Sequence, residues 1–131
     1  MKTAPIAALF FLAGEAVACG YCVEDKIDST YDHAIVTRAL ARGHHVAFFH
    51  VDGAPVARRA LEEATAGVPG IDKGSARISP DLLTLSFSFD PARASLLQLN
   101  TQLDRRLSAR KASLTPLRIM EQPADLKTVK R

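Results

Sequence analysis

Leu82-Leu83-Thr84-Leu85-Ser86-Phe87-Ser88-Phe89-Asp90-Pro91 is the stretch on which the fold turns. Leu83, Leu85, Phe87 and Phe89 alternate with Thr84, Ser86 and Ser88, and a period of two sets the apolar side chains on one face of a strand and the hydroxyls on the other. A strand of that kind lays one face on a core and turns the polar face outward. Asp90-Pro91 then predicts a helix start, with aspartate as N-cap and proline in the first helical position. Ala92, Leu96, Leu99, Leu103 and Leu107 line one side of the helix it opens. A last strand is expected over Leu114–Glu121 with Leu117 and Ile119 pointing inward, and Gln122 onward reads as a tail.

Working back from Leu82, Pro80-Asp81 is a turn, and a short strand is expected around Ser75–Ser79 with Ala76 and Ile78 on one face. Gly67-Val68-Pro69-Gly70 breaks the chain. Before it, Ala57, Ala60, Leu61 and Ala64 form a small-residue stripe on a helix that Pro55 starts. Asp52-Gly53 closes an earlier strand, in which His45, Ala47, Phe49 and Val51 point one way and His44, Val46, Phe48 and His50 the other. The order from His45 is therefore β-α-β-β-α-β. Two right-handed crossovers around a central hairpin give an α+β ferredoxin-like sandwich, with both helices on one face of a four-stranded antiparallel sheet.

The other sheet face needs a cover. Val23, Ile27, Tyr31, Ala34 and Ile35 recur at helical spacing, which predicts one extra N-terminal helix from Cys22 to the stop at Gly43. That helix is expected to pack on Val46 and Phe48. His33 lies on the same side as Cys22, but eleven residues of helix separate them by about 16 Å, so one ion cannot take both.

Cys19-Gly20-Tyr21-Cys22 holds the only two cysteines of the 131 residues. Upstream, Lys2, the apolar run from Ala4 to Ala13 and the small residues Ala16-Val17-Ala18 have the three-part layout of an export signal. The run is shorter than the roughly 20 residues a membrane span requires. The expected organisation is a signal peptide over 1–18, a CxxC segment and helix over 19–43, the sandwich domain over 44–121 and a tail over 122–131. The expected location is exported and periplasmic, with a membrane anchor only if Cys19 is the acylated first residue of a lipoprotein.

Composition fits an ordinary globular chain: 47% apolar residues, no tryptophan, six phenylalanines and a net charge of +3. The basic C-terminal region reads as a solvated helix face and a tail, and no nucleic-acid partner is expected.

From His45 to about Glu121 the chain resembles the heavy-metal-associated domain of copper chaperones and copper-pump N-terminal domains. The likeness rests on Phe49-His50-Val51-Asp52-Gly53 leading into a helix, on Val68-Pro69-Gly70-Ile71, and on Ser88-Phe89-Asp90-Pro91. The resemblance implies the fold and a metal-related context. It does not supply a site, because the family's Met-x-Cys-x-x-Cys loop is replaced by Gly53-Ala54-Pro55-Val56-Ala57-Arg58-Arg59, with Val56 and Arg59 where the cysteines would stand.

The displaced CxxC is the candidate substitute. Two thiolates can hold a soft ion such as Cu(I), or supply half of a Zn²⁺ shell. A helix start favours the thiolate. His44 and His50 are the candidates to complete the shell, so the expected metal ligands are Cys19, Cys22, His44 and His50. The expected partner is a metal-donor or metal-acceptor protein. Two alternatives stand beside this reading: a thiol-disulfide redox protein using Cys-Gly-Tyr-Cys, and a non-catalytic interaction module with inert cysteines. No phosphate loop, HExxH motif or nucleophile elbow is present in the sequence, and no enzyme is expected.

Overall fold

The computed structural model describes residues 23–122. It is a mixed α+β structure built on a four-stranded antiparallel sheet. Helical residues 23–28 (α1) and His33–Ala41 (α2) precede strand His45–Gly53 (β1). Helix Arg58–Thr65 (α3), strands Arg77–Ile78 (β2) and Thr84–Phe89 (β3), helix Leu96–Leu107 (α4) and strand Ala112–Met120 (β4) follow. The sheet order is β2-β3-β1-β4. Every neighbouring pair is antiparallel, so β1 and β2 run the same way with β3 between them, and β3 and β4 run the same way with β1 between them.

The alternation around Phe87 does what the sequence predicts on one face within β3, whereas Leu83, just ahead of the strand, is exposed instead of inward. Leu85, Phe87 and Phe89 join Ala47, Phe49 and Val51 of β1, Ala60, Leu61 and Ala64 of α3, and Leu99, Leu103 and Leu107 of α4 in one core. Phe49 and Phe87 stack at a centroid distance of 5.4 Å. Each such ring contributes roughly 1.5–3 kcal/mol by leaving water. The hydroxyl face behaves differently. Thr84, Ser86 and Ser88 are as buried as the leucines, because α1 and α2 lie across them.

The N-terminal cover is two helices, not one. Asp32 adopts an extended backbone and its carboxylate accepts hydrogen bonds from the amides of Ala34 and Ile35, which starts a new helix and ends the old phase. The apolar stripe consequently moves. Ile27, Val36 and Ala39 pack with Val46 and Phe48, whereas Tyr31 and Ala34 are exposed. Contact with Val46 and Phe48 is as expected.

Three other boundaries differ from the sequence reading. Asp90-Pro91 opens only a turn, in which Asp90 accepts from the Ala92 amide. The helix itself begins after Ser95, whose side chain and that of Gln98 form a reciprocal capping box, and Ala92 is exposed. Pro55 likewise lies outside α3, and Val56 drops into the core ahead of it. In β4, Leu117 and Ile119 are not an inward pair. The β1–β4 register slips between Phe48 and Phe49, leaving Leu117 extra opposite them, beside Pro116, which has no amide to offer the ladder. Leu117 turns to the α1–α2 side, Ile119 is exposed, and Ala112 and Leu114 fill the inner core instead.

Gly53 ends β1 at a φ of 95°, and a Cβ there would collide with the Lys111 carbonyl. The Asp52-Gly53 signal thus fixes the close approach of β1 to the start of β4. Among the described residues, no helix is long and apolar enough to cross a membrane.

Candidate functional site

Cys19 and Cys22, the proposed signal over 1–18 and residues 123–131 of the tail lie outside the described residues. What is described is the point to which the CxxC is tied. Val23, the residue after Cys22, packs against the Val46–Phe48 cluster together with Leu117 and Met120. Glu24 accepts a hydrogen bond from Arg118 Nη2 at 2.7 Å, an ion pair that holds its carboxyl below the ordinary value. Ile27, one helical turn later, is 2% exposed. The chain leaving Cys22 is therefore fastened at once to β1 and β4.

His44 sits just before β1, between two carboxylates. Its Nδ1 lies 2.8 Å from Asp72 Oδ2, and its Nε2 lies 3.8 Å from Asp90 Oδ2. Ser88 Oγ donates to the same Asp72 oxygen at 2.6 Å. Burial raises the Asp72 carboxyl, but the His44 and Ser88 hydrogen bonds and the charges of His44 and Arg42 outweigh it and hold the group below its usual range. The node ties the α2–β1 junction to β3 and to the chain ahead of β2.

His50 lies six residues further on, within β1. At the rise of about 3.3 Å per residue the two histidines are roughly 20 Å apart, so a single ion cannot take both. His50 Nε2 is 3.5 Å from Asp52 Oδ1, and its buried Nδ1 has no hydrogen-bond partner among the described residues. Asp52 also accepts from Thr115 Oγ1. Among the described residues, no group of three or more His, Cys, Asp or Glu side chains is placed to hold a metal ion. A four-ligand zinc shell completed by both His44 and His50 does not fit this geometry.

The loop after β1 is also settled as packing. Val56, at the first of the two positions where the resembling family has cysteine, is buried in the main core, and Arg59, at the second, is exposed and pairs with Glu63.

The sequence reading missed Asp72, Ser88 and the Asp32–Arg77 pair, whose Nε–Oδ2 distance is 3.1 Å. Asp32 was accessible as an N-cap one residue before a helical pattern resumes. Asp72 carries no local signal, since its partners lie 28 and 16 residues away.

No family model matches the chain, and neither a curated protein nor a solved structure matches it.

Proposed function

We propose that this chain is a small exported metal-handling protein that binds a soft, low-coordinate ion such as Cu(I) through Cys19 and Cys22, and passes it to a partner by thiolate exchange rather than catalysing a reaction. The observation that carries the reading is the anchorage of Val23, Glu24 and Ile27 on β1 and β4, directly after Cys22 in the chain. The strand order, with two helical crossovers that each pass one strand, supports a ferredoxin-like sandwich of the kind found in heavy-metal-associated domains. The burial of Val56 supports a site displaced from the loop after β1.

The placement of the histidines favours Cu(I) over Zn²⁺. Two thiolates suffice for a digonal soft ion, whereas zinc requires two further donors. His44 and His50, six residues apart along an extended chain, cannot close one zinc shell together, and the two thiolates suffice for Cu(I), so the proposal assigns neither as a ligand.

The test is Cu(I) titration of the reduced chain against a chromogenic chelator. The expected result is about one tightly held Cu(I) per chain, abolished in the Cys19→Ser, Cys22→Ser double variant and retained in His44→Ala and His50→Ala. Equal uptake by the wild type and the double-serine variant would overturn the site. The intact mass of the exported protein reports signal cleavage and any acyl group on Cys19.

A further inference from the structure

The cleft between α2 and the loop 72–77 shares Asp72 with the His44 node but takes no part in the proposed metal site. It encloses about 120 Å³ and is lined by Arg38 and Arg42 from α2, Lys73 and Arg77 from the loop, and the carboxylates Asp32 and Asp72. That space admits several waters, and so one tetrahedral oxyanion.

Both carboxylates are already committed. Asp32 accepts from the amides of Ala34 and Ile35 and from Arg77 Nε. Asp72 accepts from Ser88 Oγ and bonds His44 Nδ1. Arg77 is paired with Asp32 and also donates to the Gly74 and Ala76 carbonyls. Among the described residues, the Arg38 and Arg42 guanidinium groups and the Lys73 ammonium group make no ion pair with any carboxylate. Four cations face two carboxylates, so the cleft is left with two positive charges in excess.

That arrangement is unfavourable by itself. Arg38, in the last turn of α2, and Arg42, its C-cap, stand four residues apart at the end of the helix, where like charges repel. Lys73 adds a third charge from across the cleft. The guanidinium fork suits paired oxygens of a phosphate-type anion, and an anion between the three groups would relieve the repulsion.

We propose that the α2–loop 72–77 cleft is a binding site for a small doubly charged oxyanion of the phosphate or sulfate class, held by Arg38, Arg42 and Lys73. The experiment is a titration of the isotopically labelled full chain with inorganic phosphate, sulfate and a phosphomonoester at fixed ionic strength, followed by amide chemical shifts, with chloride as reference. Phosphate and sulfate are expected to give saturable shifts confined to residues 72–75 and the second half of α2. A phosphomonoester that binds more tightly than inorganic phosphate identifies the anion as a group on a larger molecule, and the reverse order identifies the free ion. Arg38→Gln with Arg42→Gln is expected to weaken binding about tenfold or more, as loss of charge-assisted hydrogen bonds does. Arg105→Gln with Arg110→Gln, elsewhere on the surface, should change it by less than about twofold. Lys73→Gln lies in an exposed loop and gives the same readout should the arginine pair fail to fold. Absence of saturable shifts, or equal weakening by the cleft and the surface variants, would overturn the site.

Discussion

The two faces of the sheet are built by different rules. The α3–α4 face is a dry layer of phenylalanine, leucine and valine in which three strands and two helices interlock. The α1–α2 face has a small apolar centre of Ile27, Val36, Ala39, Val46 and Phe48, and around it lie buried hydroxyls and a rim of partly exposed carboxylates. Ser86 Oγ donates to the Thr30 carbonyl, Ser88 to Asp72, and the rim is closed by Glu24–Arg118 and Asp32–Arg77. The first face holds the strands together. The second attaches a cover by polar groups that must find each other in the right geometry, and such a layer opens at lower free energy than the core beneath it.

The comparison can be broken most directly in the dry layer. Phe87→Ala removes a ring with no exposed surface from the centre of the sheet. It is expected to cost about 3–5 kcal/mol and to lower protection of every element in a denaturant melt read by hydrogen exchange. Loss confined to β3 would show that the layer is not one cooperative unit.

Ile27→Ala is the matching change on the cover. We expect about 2–3 kcal/mol, near the lower end for such truncations, because the α1–α2 centre is smaller and nearer to solvent. Amides of α1 and α2 should exchange faster while those of α4 keep their protection. A uniform loss across both faces would make the cover part of the core.

Asp72→Ala probes the polar attachment alone. It leaves His44 Nδ1 and Ser88 Oγ without their partner, and about 1–3 kcal/mol should be lost in a urea melt at neutral pH. The same carboxyl gives a pH dependence whose sign follows from its depressed folded value. The unfolded chain binds the proton more tightly, so the stabilisation is whole above the ordinary aspartate value of about 3.9 and is lost as pH falls below it. Wild type should thus lose stability on acidification more steeply than Asp72→Asn. Parallel curves would remove Asp72 from the account. The smallest effect belongs to Arg118→Gln, whose exposed pair with Glu24 should shift a urea melt least of these variants and lose that effect with added salt.

Much of the dry layer was legible because its signals are local. Period two over Leu85–Phe89 and period three to four over Leu96–Leu107 need only neighbours in the chain, and they identified the inward residues of β3 and α4, while the same alternation wrongly extended inward to the exposed Leu83. The cover was half legible. Ile27, Val46 and Phe48 could be named, but the break at Asp32 shifted the stripe by which Val36 and Ala39 enter the layer. The polar node was not legible at all, since nothing near Asp72 announces a histidine 28 residues earlier. The same limit applies to the metal reading. Alternation put His44 and His50 on one face, yet sharing a face says nothing about the strand length between them, and that length separates them.

The margins of the sheet carry a consequence for crowded solutions. On one side the outermost strand is only two residues long, and on the other the strand is interrupted by Pro116 and the extra Leu117. Neither offers the long, flat row of free amides and carbonyls that invites a neighbouring molecule to extend the ladder. Replacing Pro116 with valine while deleting Leu117 from the nine-residue strand would restore such a row along the remaining eight, and fibril formation is where the cost of that repair would appear.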